Sequence, residues 1–210
     1  MMILLTGGAA CGKSYIAEQL VMRFPGKRYY IATMRPWGAD GQAKVAKHRA
    51  MRQGKHFQTI ECYGNLGSVF LDESDSVVLL ECITNLVADE LYDNQGNKQP
   101  YNQVLSCVLS GIDSLKKQCA ALIMITNDVG ADGIEYEQDT ADYVRLLGQV
   151  NCLVAAQSDV VVDMACGVPL VVKGSIDGMM SADTINGKGA VAAPCCAQVS
   201  DVDTSREVDA

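Results

Sequence analysis

The sequence has few of the features that mark membrane, secreted or zinc-knuckle proteins. Its 210 residues contain no apolar run close to the roughly 20 residues that a membrane span needs. Met2–Leu5 leads directly into glycines, without the basic region and long apolar stretch of a signal peptide. The nine cysteines lack paired C-x-x-C spacing, so reduced thiols are expected rather than a zinc knuckle. These absences favour a cytoplasmic protein with no membrane span.

Positive charge is also scarce. The chain has 17 Lys and Arg against 25 Asp and Glu, a formal net charge of −8, which makes a nucleic-acid partner a poor expectation. Residues 174–210 hold six acids and two bases, which is half of that net charge. After Lys173 the rhythm of strand and helix patterns stops, and Gly, Ala, Ser and Asp dominate. We therefore predict a folded domain over residues 1–173 and an acidic, flexible extension over 174–210.

Short apolar runs alternate with longer amphipathic stretches along the first 173 residues. Several runs are apolar throughout, as in strands that a parallel sheet buries on both faces. The stretches 101–115 and 143–154 have apolar residues at helical spacing. This alternation predicts a three-layer α/β fold with a mostly parallel central sheet. The seven predicted strands are Met2–Thr6, Arg28–Thr33, Gln58–Cys62, Val77–Glu81, Ala121–Thr126, Asp159–Asp163 and Val168–Val172.

A glycine-rich segment follows the first predicted strand and fits the phosphate-loop pattern G-x-x-x-x-G-K-[ST]. Backbone N–H groups of such a loop surround phosphate oxygens, Lys13 would bridge the outer phosphates, and the Ser14 hydroxyl would hold Mg²⁺. A chance glycine turn is the alternative, but a helical pattern over Tyr15–Met22 completes the expected order of strand, loop and helix. The segment thus predicts a P-loop nucleotide triphosphate hydrolase-like (RecA-like) fold. Its residues are Gly7, Gly8, Ala9, Ala10, Cys11, Gly12, Lys13 and Ser14.

Two further features indicate chemistry on phosphate. The strand Val77–Glu81 ends in an acid, where P-loop proteins place a second Mg²⁺-organising carboxylate, although an acid facing solvent would look the same. His48 is one of only two histidines, and Lys44 and Arg52 lie four residues to either side, on one face of a predicted helix. Guanidinium groups suit phosphate oxygens, and a neutral imidazole is a competent nucleophile toward phosphorus. A solvated basic face with an incidental histidine would have the same spacing.

Eight segments occur in an order that is more specific than the phosphate loop alone. They are Thr6-Gly7-Gly8-Ala9 with Ala17-Glu18 behind it, Tyr30-Ile31-Ala32-Thr33, His48-Arg49-x-x-Arg52, Thr59-x-Glu61, Leu80-Glu81-Cys82-Ile83-Thr84, Thr126-Asn127-Asp128-Val129-Gly130, Gly148-x-Val150-Asn151 and Gly167-Val168-Pro169-Leu170. Over residues 1–173 the chain resembles the bifunctional adenosylcobinamide kinase / adenosylcobinamide-phosphate guanylyltransferase family of cobalamin biosynthesis.

The resemblance implies two reactions. ATP or GTP first phosphorylates the aminopropanol hydroxyl of adenosylcobinamide. GMP from GTP then passes to adenosylcobinamide phosphate through a guanylyl-histidine intermediate, which releases pyrophosphate and gives adenosylcobinamide-GDP. His48 matches that histidine, Lys13 is the second catalytic residue, and Ser14 and Glu81 would bind Mg²⁺. The residues expected at the nucleotide beyond the phosphate loop are Thr33, Arg49, Arg52, Glu61 and Glu81.

The resemblance also implies a homotrimer with active sites between subunits. Asp128 and the segment Gly133-Ile134-Glu135-Tyr136 depart from the family pattern, in regions that would handle the corrinoid rather than the nucleotide. An enzyme that keeps only one of the two activities is therefore an alternative. A module that binds nucleotide without chemistry is another, although a regulatory switch has no need of a nucleophile such as His48.

Overall fold

The strands and helices are those of a computed structural model that describes residues 1–93, 95–130 and 133–179. The strands are β1 (Met2–Gly7), β2 (Arg28–Ala32), β3 (Phe57–Glu61), β4 (Val77–Glu81), β5 (Ala121–Ile125), β6 (Val160–Ala165) and β7 (Val168–Lys173). The helices are α1 (Lys13–Val21), α2 (Gly38–Met51), α3 (Ile83–Leu91), α4 (Tyr101–Gln118) and α5 (Gln138–Gln157), with a 3-10 turn at Leu66–Ser68. All seven predicted strands are confirmed to within two residues at their ends.

The strands form one sheet in the order β3-β2-β4-β5-β1-β6-β7. Every neighbouring pair is parallel except β6 and β7. The predicted mostly parallel sheet is thus confirmed. Because β1 to β5 all run in the same direction, the loops that follow their carboxyl ends gather at one edge of the sheet, where ligands of such folds bind.

Two apolar layers cover the sheet. Side chains alternate along each strand, so Met2 and Leu4 of β1 pack toward α3, α4 and α5, whereas Ile3 and Leu5 pack toward α1. All four side chains are almost completely buried, as expected for a sheet covered on both faces. The predicted three-layer, P-loop-type α/β fold is therefore confirmed.

The antiparallel direction of β7 and the helix α3 were not predicted. β7 turns back antiparallel on β6 because only Cys166 and Gly167 connect them, and both have positive φ (51° and 84°), as in a tight hairpin turn. The helix α3 follows β4 directly, and its buried Ile83, Leu86 and Val87 have the spacing of one helical face. The sequence contains a signal for each feature. The connection of two residues that includes a glycine indicates the hairpin, and the apolar i, i+3, i+4 pattern indicates the helix.

The packed chain continues past the proposed boundary at Lys173. Ile176 is 2% exposed and belongs to the core layer on the α1 face, and Met179 packs against it. From residue 180 onward the predicted flexible extension lies outside the described residues, so that prediction stands as made. Among the helices of the described residues, none is long and apolar enough to cross a membrane.

Candidate active site

A cavity of about 450 Å³ lies at the carboxyl ends of the parallel strands. The phosphate loop, the helix α2 and the ends of β2, β3 and β4 form its walls. Most of the predicted site residues line it, although they come from distant parts of the chain. These are Ala9, Ala10, Cys11, Gly12, Lys13, Ser14, His48, Arg49, Arg52, Glu61 and Glu81.

The loop between β1 and α1 has the geometry of a phosphate-binding loop. Gly7 has φ of 130°, and a Cβ at this position would lie 2.7 Å from the carbonyl oxygen of Met164, so only glycine fits. Gly12, with φ of 95°, directly precedes α1 and lines the cavity, and the first N–H groups of a helix have no partner within the helix. The Nζ of the buried Lys13 donates to the carbonyl oxygens of Gly7 at 2.8 Å and of Gly8 at 2.5 Å. The loop therefore places an ammonium group and several N–H donors where an anion would bind.

Glu81, at the end of β4, connects three of the cavity walls. Its Oε1 accepts a hydrogen bond from the Ser14 hydroxyl at 2.5 Å, and its Oε2 accepts one from the Tyr30 hydroxyl at 2.8 Å. The Nδ1 of His48 lies 3.5 Å from the same Oε1. One carboxylate is thus shared by the phosphate loop, the sheet and the helix that carries the histidine.

The predicted helix around His48 is confirmed as α2. Lys44, His48 and Arg52 all line the cavity, so the predicted basic face is directed toward the site. The guanidinium carbon of Arg52 lies 3.4 Å from the centroid of the Tyr30 ring, a cation–π contact, and Arg52 is 7% exposed. Its buried Nη1 has no hydrogen-bond partner among the described residues, which leaves a charged donor unsatisfied beside the cavity.

Arg49 and Glu61 meet near the outer part of the cavity. The Nη2 of Arg49 lies 3.2 Å from Oε1 of Glu61, and the hydroxyl of Tyr63 donates to Oε2 at 2.8 Å. Both partners of the ion pair are more than half exposed, so water screens it and the pair contributes little to stability. Replacing this ion pair with contacts to a ligand would therefore cost little free energy.

Three predicted residues do not line the cavity. Thr33 is completely buried, where its hydroxyl donates to the carbonyl oxygen of Cys82 at 2.8 Å and accepts from the Cys82 N–H at 2.6 Å. Gly7 and Gly8 present their carbonyl oxygens to Lys13 instead of to the cavity. Thr33 thus supports the end of β4 from behind, and its contact with the nucleotide stays a prediction.

Sequence reasoning assigned no role to two residues that the structure places in the cavity wall. Burial and the negative charge of Glu81 raise the pKa of Tyr30 far above its ordinary value, so its hydroxyl stays protonated and donates. Asn127 donates from its N–H to the Thr84 hydroxyl at 2.9 Å, which fixes the loop after β5 beside α3. Tyr30 and Asn127 both belong to the segments that carry the family resemblance. Each lies in or just after a predicted parallel strand, and that position near the ligand-binding edge of the sheet is the signal that could have identified them.

The arrangement of oxygens fits Mg²⁺. Ser14 Oγ and Glu81 Oε1 converge beside the phosphate loop, and both are the hard oxygen ligands that Mg²⁺ prefers. Mg²⁺ is usually bound by one or two such side chains together with substrate phosphates and water. The predicted pair therefore fits a metal that arrives with a nucleotide, and its binding of Mg²⁺ stays a prediction.

These features define the class of the protein. A parallel strand that leads into a phosphate loop, a lysine within the loop and an acid at the end of a nearby strand are the parts of a P-loop nucleotide-binding protein. The sequence narrows this class. Residues 3–172 match the family described as "Cobinamide kinase / cobinamide phosphate guanyltransferase", and the chain belongs to this family.

Characterised relatives cover most of the chain. The bifunctional adenosylcobalamin biosynthesis protein CobU of Escherichia coli K12 is 34% identical over 184 residues, which are 82% of this chain and all of the relative. The protein of the same name from Salmonella typhimurium LT2 is 33% identical with the same coverage. A solved structure from Pyrococcus horikoshii OT3 is similar with a TM-score of 0.46 and 7% identity, over 85% of this chain and 88% of that chain.

The hydroxyl of Tyr30 gives a first prediction. Tyr30→Phe keeps the ring beneath Arg52 but removes the hydrogen bond that orients Glu81, and a hydrogen bond to a charged group is worth enough to slow reaction at the site about tenfold. The measurement is the rate of nucleotide-dependent turnover under saturating nucleotide. Tyr29→Phe is the matched control, because the neighbouring buried hydroxyl of Tyr29 has no hydrogen-bond partner among the described residues. Equal rates for the two variants would contradict the role of Tyr30.

Proposed function

We propose that this protein phosphorylates the aminopropanol hydroxyl of adenosylcobinamide and then transfers GMP from GTP to the resulting phosphate. Membership of the family supports both activities. The observation that carries the proposal for this chain is the convergence of Lys13, Ser14, Glu81 and His48 at a single cavity. A kinase needs the first three of these residues, and a histidine-dependent transferase needs the fourth.

In the first reaction the phosphate loop binds the nucleoside triphosphate. Lys13 exchanges its two carbonyl partners for phosphate oxygens, and the N–H groups at the start of α1 bind the remaining oxygens. Ser14 and Glu81 would hold Mg²⁺, which neutralises phosphate charge when it is bound. The acceptor hydroxyl attacks the γ-phosphorus and releases its proton to water, the bond to the β-phosphate oxygen breaks, and the nucleoside diphosphate leaves.

In the second reaction His48 is the nucleophile. The Glu81 carboxylate lies 3.5 Å from Nδ1, which makes no hydrogen bond among the described residues, and a proton on Nδ1 would face that carboxylate and leave the lone pair on Nε2. Nε2 attacks the α-phosphorus of GTP, and the bond to pyrophosphate breaks while the phosphate loop retains the departing charge. A phosphate oxygen of adenosylcobinamide phosphate then attacks the same phosphorus, the P–N bond breaks, and the product is adenosylcobinamide-GDP.

Arg52 supports the transfer electrostatically. Its unpartnered Nη1 lies buried in the cavity wall one helical turn from His48, at a suitable place to bind an oxygen of the α-phosphate. Arg49 lies beside His48 in the sequence and is held only by an exposed ion pair, so its guanidinium group is available to the same phosphate. Charge that accumulates during attack on phosphorus is thereby neutralised.

The family resemblance further supports a cytoplasmic homotrimer. The outer strand β7 supports an association between subunits, because no further strand of the described residues pairs with its outer edge and four of its apolar side chains are exposed. These are Val168, Leu170, Val171 and Val172. Sedimentation velocity should give three times the 22.5 kDa mass of the chain, and a monomer at working concentration would contradict the trimer.

The function is tested with α-labelled GTP and Mg²⁺ in the absence of acceptor. The protein should take up label as acid-labile GMP and release pyrophosphate, and adenosylcobinamide phosphate should then discharge the label into adenosylcobinamide-GDP. A second assay follows the phosphorylation of adenosylcobinamide by ATP. A GMP adduct without phosphorylation of adenosylcobinamide would leave only the transferase activity. Phosphorylation without a GMP adduct would leave only the kinase activity. Nucleotide binding without pyrophosphate release in the presence of acceptor would indicate a binding module.

A further inference from the structure

A buried ion pair lies beneath the helix that carries His48, and the proposed reactions do not use it. Glu18, on α1, is completely buried, and its Oε2 accepts a charged hydrogen bond from the Nζ of Lys55. Its other oxygen, Oε1, is buried without a hydrogen-bond partner in the part of the chain that the structure describes. Burial raises the pKa of Glu18 above its ordinary value, and the charge of Lys55 opposes that rise. The Lys55 side chain is 26% exposed, so water weakens its attraction to Glu18 while Glu18 carries the full cost of burial, and the pair adds little to net stability.

Lys55 belongs to the turn that ends α2. Its backbone N–H donates to the carbonyl oxygen of Arg52 at 3.1 Å, and its own carbonyl oxygen accepts from Nη1 of Arg28 at 3.1 Å. The turn is therefore tied both to the end of α2 and to β2. Because Lys55 also reaches Glu18, the pair connects the end of α2 to α1.

The helix α2 needs such a connection because it places no side chain in the apolar core. None of the 14 residues from Gly38 to Met51 is buried, whereas each of the other four helices among the described residues buries at least four. Polar contacts near its carboxyl-terminal end hold it in place. They are the contact of His48 with Glu81, the stacking of Arg52 on Tyr30 and the pair of Lys55 with Glu18.

We propose that Glu18 and Lys55 are positioning residues that hold the carboxyl-terminal end of α2 against α1 and thereby place His48 for guanylyl transfer. The inference rests on the proposed role of His48 as nucleophile. Glu18 lies on the helix whose first residues bind the nucleotide phosphates, so the pair sets the distance between the bound nucleotide and the histidine. A nucleophile misplaced by about 1 Å loses rate on the order of 100-fold.

The pair should matter much less to phosphoryl transfer from ATP. Lys13 and Ser14 lie on α1 and Glu81 lies on β4, and none of them depends on α2 for its position. Loss of the pair should therefore change the ratio of the two activities. A role confined to folding would lower both activities together.

The variants for this test are Lys55→Met, Lys55→Arg and Glu18→Gln. The matched control is Lys27→Met, since Lys27 also forms a Lys–carboxylate pair, with Asp72 at 2.7 Å, and its side chain has nearly the same exposure as that of Lys55 (27% and 26%). Single-turnover guanylylation with α-labelled GTP and phosphorylation of adenosylcobinamide by ATP are measured for each. Hydrogen–deuterium exchange of residues 45–55 in the nucleotide-free protein is measured in parallel.

Lys55→Met and Glu18→Gln should slow guanylylation on the order of 100-fold and leave phosphorylation within about threefold. Lys55→Arg should restore most of the guanylylation rate, and Lys27→Met should change neither reaction. Exchange in residues 45–55 should rise in the first two variants while that of α4 stays constant. Parallel losses of both activities, or unchanged exchange, would overturn the proposal. A wild-type protein that forms no GMP adduct would refute the role of His48, and the exchange data would still decide whether the pair holds α2.

Discussion

Lys13→Ala should lower the rates of both phosphorylation and guanylylation about 1,000-fold. The Nζ of Lys13 donates to the carbonyl oxygens of Gly7 and Gly8, so the ammonium group is held inside the phosphate loop. A charged donor that is already in position stabilises the transition state at least as well as a neutral donor. Removal of a neutral donor lowers the reaction rate about 10²- to 10³-fold. The measurement is initial rates with ATP and adenosylcobinamide, and with GTP and adenosylcobinamide phosphate.

The control for this prediction is Lys117→Ala. Lys117 is also a lysine of a described helix, but it is 73% exposed and pairs only with Asp113 on the surface of α4. Its removal should leave both rates unchanged, because exposed pairs of this kind contribute little. A Lys13→Ala variant that retains either rate within tenfold would show that the phosphate loop is not the binding site for that reaction.

His48→Ala should abolish the protein-bound GMP and reduce guanylyl transfer at least 1,000-fold, because the variant has no nitrogen that can attack the α-phosphorus. Phosphorylation of adenosylcobinamide should fall only a few fold, since Ser14 and Tyr30 still orient Glu81. Together the two results would show that guanylyl transfer requires His48 and that phosphorylation does not. Denaturing gel analysis after incubation with α-labelled GTP measures the first, and phosphate transfer from γ-labelled ATP measures the second.

The other histidine gives the control. His56 is exposed, does not line the cavity and has φ of 55°, a conformation that asparagine tolerates, so His56→Asn removes the imidazole without backbone strain. This variant should retain the GMP adduct. Label that persists in His48→Ala but disappears in His56→Asn would reassign the nucleophile, and label that persists in both would exclude a histidine adduct.

Much of the fold was predictable because local signals and tertiary structure agree. The phosphate loop requires positive φ at Gly7 and Gly12, which makes its glycines visible in the sequence. Strands that are apolar throughout, such as β4 and β5, are buried on both faces and therefore belong in the middle of a sheet. The helix α3 was missed although its apolar spacing is regular, since it begins directly after β4 with no separating loop. Compact α/β connections of this kind leave few turn residues to indicate a boundary.

The site was predictable only in part, because several of its contacts depend on which face a side chain takes. Tyr29 and Tyr30 are adjacent and chemically identical, and only the pleat of β2 sends one toward α4 and the other toward Glu81. Thr33 was expected at the nucleotide, yet the buried N–H and C=O of Cys82 need partners, and its hydroxyl satisfies both. The pair of Glu18 with Lys55 joins residues 37 positions apart, which no local pattern indicates.

The contacts of Glu81 distinguish a part of the molecule that both reactions use, the sheet edge with the phosphate loop, from a part that only guanylyl transfer uses, the helix α2. Because Glu81 contacts Ser14, Tyr30 and His48 at once, substitutions on the sheet edge would damage both chemistries together. Substitutions on α2 would remove one chemistry and spare the other, since that helix buries nothing in the core. A descendant with only the kinase activity could therefore arise through drift in a single surface helix, whereas a descendant with only the transferase would have to keep the whole phosphate-binding apparatus.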